Sequence, residues 1–191
     1  MVLSLPELLI AFRAVCAPLI FVLACFGFPG PLLALVLGAA FLSDVFDGVI
    51  ARKLGIATAA LRRADTLVDT VFYVAAGASL KVAVPHAFDN AELALVLLVI
   101  AHVSRATFEL TKFGRLSSYH MWSSKLLGVL LVIALVQGFV TGEPGAILPL
   151  ALWFGVANEI KGFAISPLLP SWRADVPSVV HALQSAQRGT A

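Results

Sequence analysis

Asp44 and Asp47, followed by Asp65 and Asp69, are the residues of this sequence best suited by type and spacing to do chemistry. Residues three or four apart on a helix share a face, so each pair presents two carboxylates side by side. No His lies in the stretch that holds them. Oxygen donors without nitrogen or sulfur suit Mg²⁺, Mn²⁺ or Ca²⁺ rather than zinc or copper. Mg²⁺ commonly takes one or two carboxylates and leaves its other positions to water and substrate phosphates. Four carboxylates could therefore hold two ions about 3.5–4 Å apart that clamp a phosphoryl group. The plainer alternative is that Asp44 and Asp47 only pair with Arg52, Arg62 or Arg63 at a membrane surface. Against it stands cost: an Asp at the centre of an apolar helix is unfavourable by roughly 2.5–3.5 kcal/mol, less near the interface. Four such residues need a compensating partner.

The elements that must position these acids are membrane helices. The 191 residues are 60% hydrophobic and only 13% charged, a composition that needs lipid around it. The apolar stretches are continuous rather than alternating, which excludes a β-barrel and leaves an all-α integral membrane protein. With about 20 apolar residues needed per crossing, six transmembrane helices are expected, at about 7–28, 31–51, 64–84, 91–111, 122–141 and 145–167. Phe28-Pro29-Gly30-Pro31, Pro85 to Asn90, and Gly142-Glu143-Pro144-Gly145 separate them. The short basic connection from Arg52 to Arg63 makes the second and third helices antiparallel, so both acidic pairs fall at one depth.

Lys and Arg counts set the orientation. Arg52, Lys53, Arg62 and Arg63 flank the second connection and Lys112, Arg115 and Lys125 the fourth, whereas the opposite side shows only Lys81. Both connections, the acidic site and both termini are thus expected in the cytoplasm, in keeping with Arg173 and Arg188. Residues 1–170 read as one transmembrane domain. Residues 171–191 read as a tail in which Asp175 and Pro177 open a short interfacial helix, with a solvated tail as the alternative. A formal net charge of +2 and the lack of an aromatic-laced basic patch exclude nucleic acid as a partner. Cys16 and Cys25 are too far apart on one helix to bridge and are expected to pack as apolar residues. No basic segment precedes the first apolar run, so no cleavable signal is expected.

Gly48 and Ala51 beside the acids permit close approach of a ligand or a neighbouring helix. Arg52 is placed to neutralise a phosphate. Together, Asp44-Val-Phe-Asp47-Gly48-Val-Ile-Ala51-Arg52 and Asp65-Thr-Leu-Val-Asp69 resemble the signature of the CDP-alcohol phosphotransferase family, also termed CDP-alcohol phosphatidyltransferases. Seven of its eight fixed positions match. The exception is the second glycine, replaced by Leu61, which should crowd a bound cytidine. A shifted backbone that turns Ala59 or Ala60 to the ligand, a donor bound differently, and weakened activity are the three alternatives. Pro6, Arg13 and Pro18 resemble the opening pattern of many members.

The resemblance implies an enzyme that moves a substituted phosphoryl group from a CDP-linked lipid donor, such as CDP-diacylglycerol, to the hydroxyl of a small alcohol, releasing CMP, in phospholipid synthesis. It implies two Mg²⁺ or Mn²⁺ ions on Asp44, Asp47, Asp65 and Asp69, with Asp69 also the general base. It further implies a nucleotide pocket at Gly48, Ala51, Arg52 and Leu61, a homodimer, and basic residues Arg105 and Lys125 toward the acceptor. If these two converge with Arg13 and Arg115, the acceptor carries a phosphate. Otherwise Arg105 pairs with Glu109, Lys125 and Arg115 serve orientation, and neutral acceptors such as serine remain open. His102 and His120 are weaker candidates, Glu159 could line the cavity, and Tyr119, Trp122 and Trp153 suit interfacial anchoring. Two rival classes are a divalent-cation transporter, whose acids should sit centrally on broken helices, and a catalytically silent relative with a structural ion.

Overall fold

Caps and left-handed glycines, more than hydropathy, decide where the helices begin and end. The computed structural model describes residues 4–55, 58–116 and 122–168, apart from the side chains of Arg52, Ala59, Trp122 and Leu168. Within these lie six helices: α1 Leu5–Cys25, α2 Gly30–Lys53, α3 Ala59–Ala83, α4 Glu92–Phe113, α5 Trp122–Thr141 and α6 Ile147–Leu168. No strand occurs among the described residues. The expected tail helix, Tyr119 and His120 lie outside the described residues.

Helix α1 starts earlier than its apolar run suggests, because Ser4 and Glu7 form a capping pair. The Ser4 backbone N–H and hydroxyl both donate to Glu7 Oε2, at 2.7 and 2.9 Å. It also ends earlier, at Cys25, since Gly27 with φ 70° turns the chain toward α2. Helix α3 begins five residues before the expected span, where the Thr58 hydroxyl accepts from Leu61 N–H at 3.2 Å. Arg62 and Arg63 are therefore helical rather than loop residues. Gly114 closes α4 in the left-handed conformation.

Five helices, α1 to α5, are long and apolar enough to cross a membrane. Helix α6, at 22 residues, is long enough, but Asn158, Glu159 and Lys161 near its middle lower its hydropathy. Among the described residues the six-helix count holds, and five of the six helices meet that measure. Of the two cysteines, both free, Cys16 is buried as expected, but Cys25 is exposed and packs no core. Trp153 is exposed on α6.

The chain divides into two compact units, and the division runs through α5. The first contains α1, α2, α3 and residues 132–147. In it α1 packs against both α2 and α3, and each helix contributes one stripe at a 3.6-residue period. On α1 the stripe is Pro6, Ile10, Arg13, Ala17, Ile20 and Ala24. On α2 it runs through Leu33, Leu37, Ala40, Asp47 and Ala51, and on α3 through Phe72, Ala76 and Leu80. Traced back toward the start of α3, the same stripe passes through Asp69 and Asp65. Gly30 lets the start of α2 lie against the backbone of α5: a Cβ there would meet the Phe139 carbonyl.

The second unit contains α4, residues 122–131 of α5, and α6. Gly155 on α6 admits Leu98 and Leu127, whose methyl carbons lie 3.2 and 3.5 Å from where a Cβ would stand.

Overpacking a close backbone approach costs about 1–3 kcal/mol. Gly30→Ala should accordingly lower the melting temperature of the detergent-solubilised protein, while Gly38→Ala, which meets nothing within 4 Å, leaves it unchanged. Differential scanning fluorimetry on the two variants checks this.

Candidate metal centre

In the first unit the three stripes meet in a knot of charge. Asp44 and Asp47 project from α2, Asp65 and Asp69 from α3, and one oxygen from each of Asp44, Asp47 and Asp65 lies within 4.8 Å of the others. Arg13 of α1 reaches into their midst. Its Nη1 donates to Asp65 Oδ1 at 3.0 Å and to Asp69 Oδ1, and lies 3.2 Å from Asp44 Oδ1; its Nη2 donates to Asp47 Oδ2. Asp69 therefore joins the other three through the same guanidinium nitrogen that Asp44 and Asp65 face.

The cluster is graded in depth. Arg13 is 1% exposed and the Asp47 side chain 4%, against 34% for Asp44 and 30% for Asp69. Asp47 is thus the enclosed end, while Asp44 and Asp69 are the more exposed. Four carboxylates against one guanidinium leave the site strongly anionic. The donors are all oxygen, at distances from one another that a hard divalent cation can span, so the residues present fit Mg²⁺ or Mn²⁺. Asp44 and Asp47 have a partner from a different helix, Arg13, which they share with Asp65 and Asp69.

The remaining expected site residues are placed as follows. Gly48 and Ala51 lie on the last turns of α2, one turn beyond Asp44 and Asp47, with Ala51 buried. Arg52 is helical at the end of α2, and its side chain is outside the described residues. Leu61 is half-buried in the first turn of a regular α3, four residues before Asp65 and on the same stripe. Ala60, beside it, is exposed.

Arg105 and Lys125 belong to the second unit. Arg105 Nε lies 3.1 Å from Glu159 Oε2 and 3.8 Å from Glu109 Oε1, so the expected pairing with Glu109 is present but the shorter partner is on α6. His102 Nδ1 is 3.1 Å from Glu159 Oε1. Glu109, 1% exposed, accepts from Ser166 Oγ at 2.9 Å, and Lys112 Nζ donates to the Ser166 and Pro167 carbonyls at 3.1 and 2.9 Å. Gly162 leaves the space that the Arg105 guanidinium fills, since a Cβ there would meet its Nη1. Glu159 thus holds Arg105 and His102. Both the central place of Arg13 and this α4–α6 ion network escape a reading based on motif spacing. The signal for the first was present: Arg13 falls on the stripe shared by Ile10 and Ala17.

Breaking a buried ion pair by removing one partner costs about 3–5 kcal/mol, whereas an exposed pair contributes about 0–1 kcal/mol. Glu159→Gln should therefore destabilise the protein far more than Glu143→Gln, which breaks the exposed contact between Glu143 and His86 at 3.1 Å. Thermal unfolding in detergent compares the two.

The sequence profile described as CDP-alcohol phosphatidyltransferase matches residues 3–159. No curated protein and no solved structure matches the chain.

Proposed function

The chain belongs to the CDP-alcohol phosphatidyltransferase family, and from that premise we propose that it is an active enzyme of this class, with its centre at Asp44, Asp47, Asp65 and Asp69. The family are transferases of phosphate-containing groups that work in membranes and depend on divalent metal. The observation that carries the assignment is the convergence of the four motif aspartates on one point, three of them with oxygens within 4.8 Å. The profile match runs across both units, so we read residues 1–170 as one membrane domain. The asymmetry of Lys and Arg puts the site and both termini on the cytoplasmic side. We also read α6 as a sixth span and the protein as a homodimer, as the family resemblance implies.

Asp44, Asp47, Asp65 and Asp69 would hold Mg²⁺ or Mn²⁺, two ions being the number that four carboxylates suit. When bound, the cations neutralise the diphosphate of the donor and the charge that develops on it. The donor is a CDP-linked lipid such as CDP-diacylglycerol, and Gly48, Ala51 and Arg52 line its nucleotide phosphates. An acceptor hydroxyl oxygen attacks the phosphorus that carries the lipid alcohol. The bond to the CMP oxygen breaks and CMP leaves with the electron pair. Asp69, one of the two more exposed carboxylates, takes the hydroxyl proton. Positioning and charge neutralisation are the main demands of phosphoryl transfer. Arg105 and Lys125 act toward the acceptor, with Arg105 held in place by Glu159; the acceptor is a small alcohol.

Leu61 favours a second reading, a silent relative in which the leucine closes the nucleotide pocket and the aspartates hold a structural ion. Transport is disfavoured because α2 and α3, which carry the acids, run unbroken.

Purified protein given CDP-diacylglycerol and a panel of alcohols should release CMP in the presence of Mg²⁺ or Mn²⁺ and none in EDTA, with the lipid product identified by mass spectrometry. Asp69→Asn should bind Mn²⁺ and fold, but turn over about 10²–10⁴ times more slowly; full CMP release by that variant overturns the base assignment. Leu61→Gly should lower KM for the CDP donor by roughly tenfold, the worth of relieving one crowded apolar contact. If only Leu61→Gly turns over, the silent-relative reading replaces the enzymatic one.

A further inference from the structure

We propose that Arg13 is a built-in counter-cation that competes with the divalent metal for the carboxylate cluster, and so sets the affinity of that cluster for metal. The proposal rests on the reading that Asp44, Asp47, Asp65 and Asp69 form a cation site.

Three features point to competition rather than to a fixed structural pair. The first is position: Nη1 alone faces Asp44, Asp65 and Asp69, while Nη2 is on Asp47. The guanidinium therefore lies where an ion bridging these oxygens would have to sit. The second is exclusivity. Among the described residues its bonds are all to these four acids, and Nε, buried like the rest of the side chain, has no hydrogen-bond partner there. Among the described residues nothing besides the carboxylates holds the group where it is, and a buried N–H left unpaired is unfavourable. The third is charge. Bringing four carboxylates together on apolar helices without a cation is prohibitive, and Arg13 is the cation that α1 supplies to them.

Guanidinium and metal cannot occupy the same point among these oxygens. Binding of a divalent ion must draw the carboxylates off Nη1 and Nη2 and leave Arg13 with five N–H donors to satisfy elsewhere in the same anionic pocket. A phosphate arriving with the donor would meet that need. The cluster thus carries a cation at every stage, its own or a metal, and the free energy of displacing Arg13 is subtracted from the intrinsic affinity for metal.

Mn²⁺ binding to the purified full chain, followed by electron paramagnetic resonance and by the rise in melting temperature on adding Mn²⁺, tests this without reference to turnover. Arg13→Gln removes the competitor. It should lower the melting temperature in EDTA, bind Mn²⁺ at least about tenfold more tightly than the unaltered protein, and show a larger Mn²⁺-induced shift. Arg13→Lys keeps a charge against the acids, and with it the metal-free fold, but replaces the planar fork with a single ammonium. Its Mn²⁺ affinity should fall between the other two. The reverse order, with the unaltered protein binding most tightly, or equal affinity in unaltered protein and Arg13→Lys, overturns the proposal. Asp47→Asn separates the two readings. If unaltered protein binds Mn²⁺ and Asp47→Asn does not, the cation site stands whatever the Arg13 variants do. If no form binds Mn²⁺, both readings fall.

Discussion

Four carboxylates on two apolar helices repel one another and are poorly solvated, so they can share one place only if a cation comes with them. That requirement organises the first unit. Asp44 and Asp47 lie toward the end of the packing stripe of α2, Asp65 and Asp69 begin that of α3, and α1 packs against both helices with Arg13 on its buried face. The helix that brings the counter-charge is thus also the one that packs against the two helices bearing the acids. Burial of Ile10, Ala17 and Ile20 on either side of Arg13 keeps the guanidinium at the depth of the aspartates, because neighbours on one helical stripe are only a turn apart.

A comparable solution appears in the second unit at lower charge density. Arg105, Glu109 and Glu159 would each be costly among apolar helices, and α4 and α6 meet that cost by pairing them across the interface, with His102 and Ser166 supplying further bonds. Gly162 is part of the same arrangement. The absence of a side chain there makes room for the guanidinium to lie against the backbone of α6. Of the polar residues near the middle of α6, Glu159 holds it to α4, while Asn158 donates to Ser124 of α5.

Family membership and local geometry bear on function in different ways. The profile match assigns a reaction class to the chain. On the proposed reading, the geometry gives an electrostatic reason for metal: a diphosphate and an acidic pocket can approach each other only through intervening cations. Leu61 is where the two pull apart. It stands on the same stripe as Asp65, in a regular first turn, and occupies volume that the family signature reserves for glycine.

Much of this was legible in the order of residues. Spacing of three and four placed the acids in pairs on helix faces, hydropathy located the helices to within a few residues, and the motif led to the family. Helix ends were less legible: Ser4 with Glu7 and Thr58 with Leu61 extend α1 and α3 past their apolar runs, and a cap acts through one or two hydrogen bonds that hydropathy does not register. The partners of the charged residues were decided only by tertiary structure. Arg13 lies 31 positions before the first aspartate and Glu159 lies 54 after Arg105. No local rule joins residues so far apart; which cation meets which carboxylate depends on the helices that lie side by side and on the face each one turns inward.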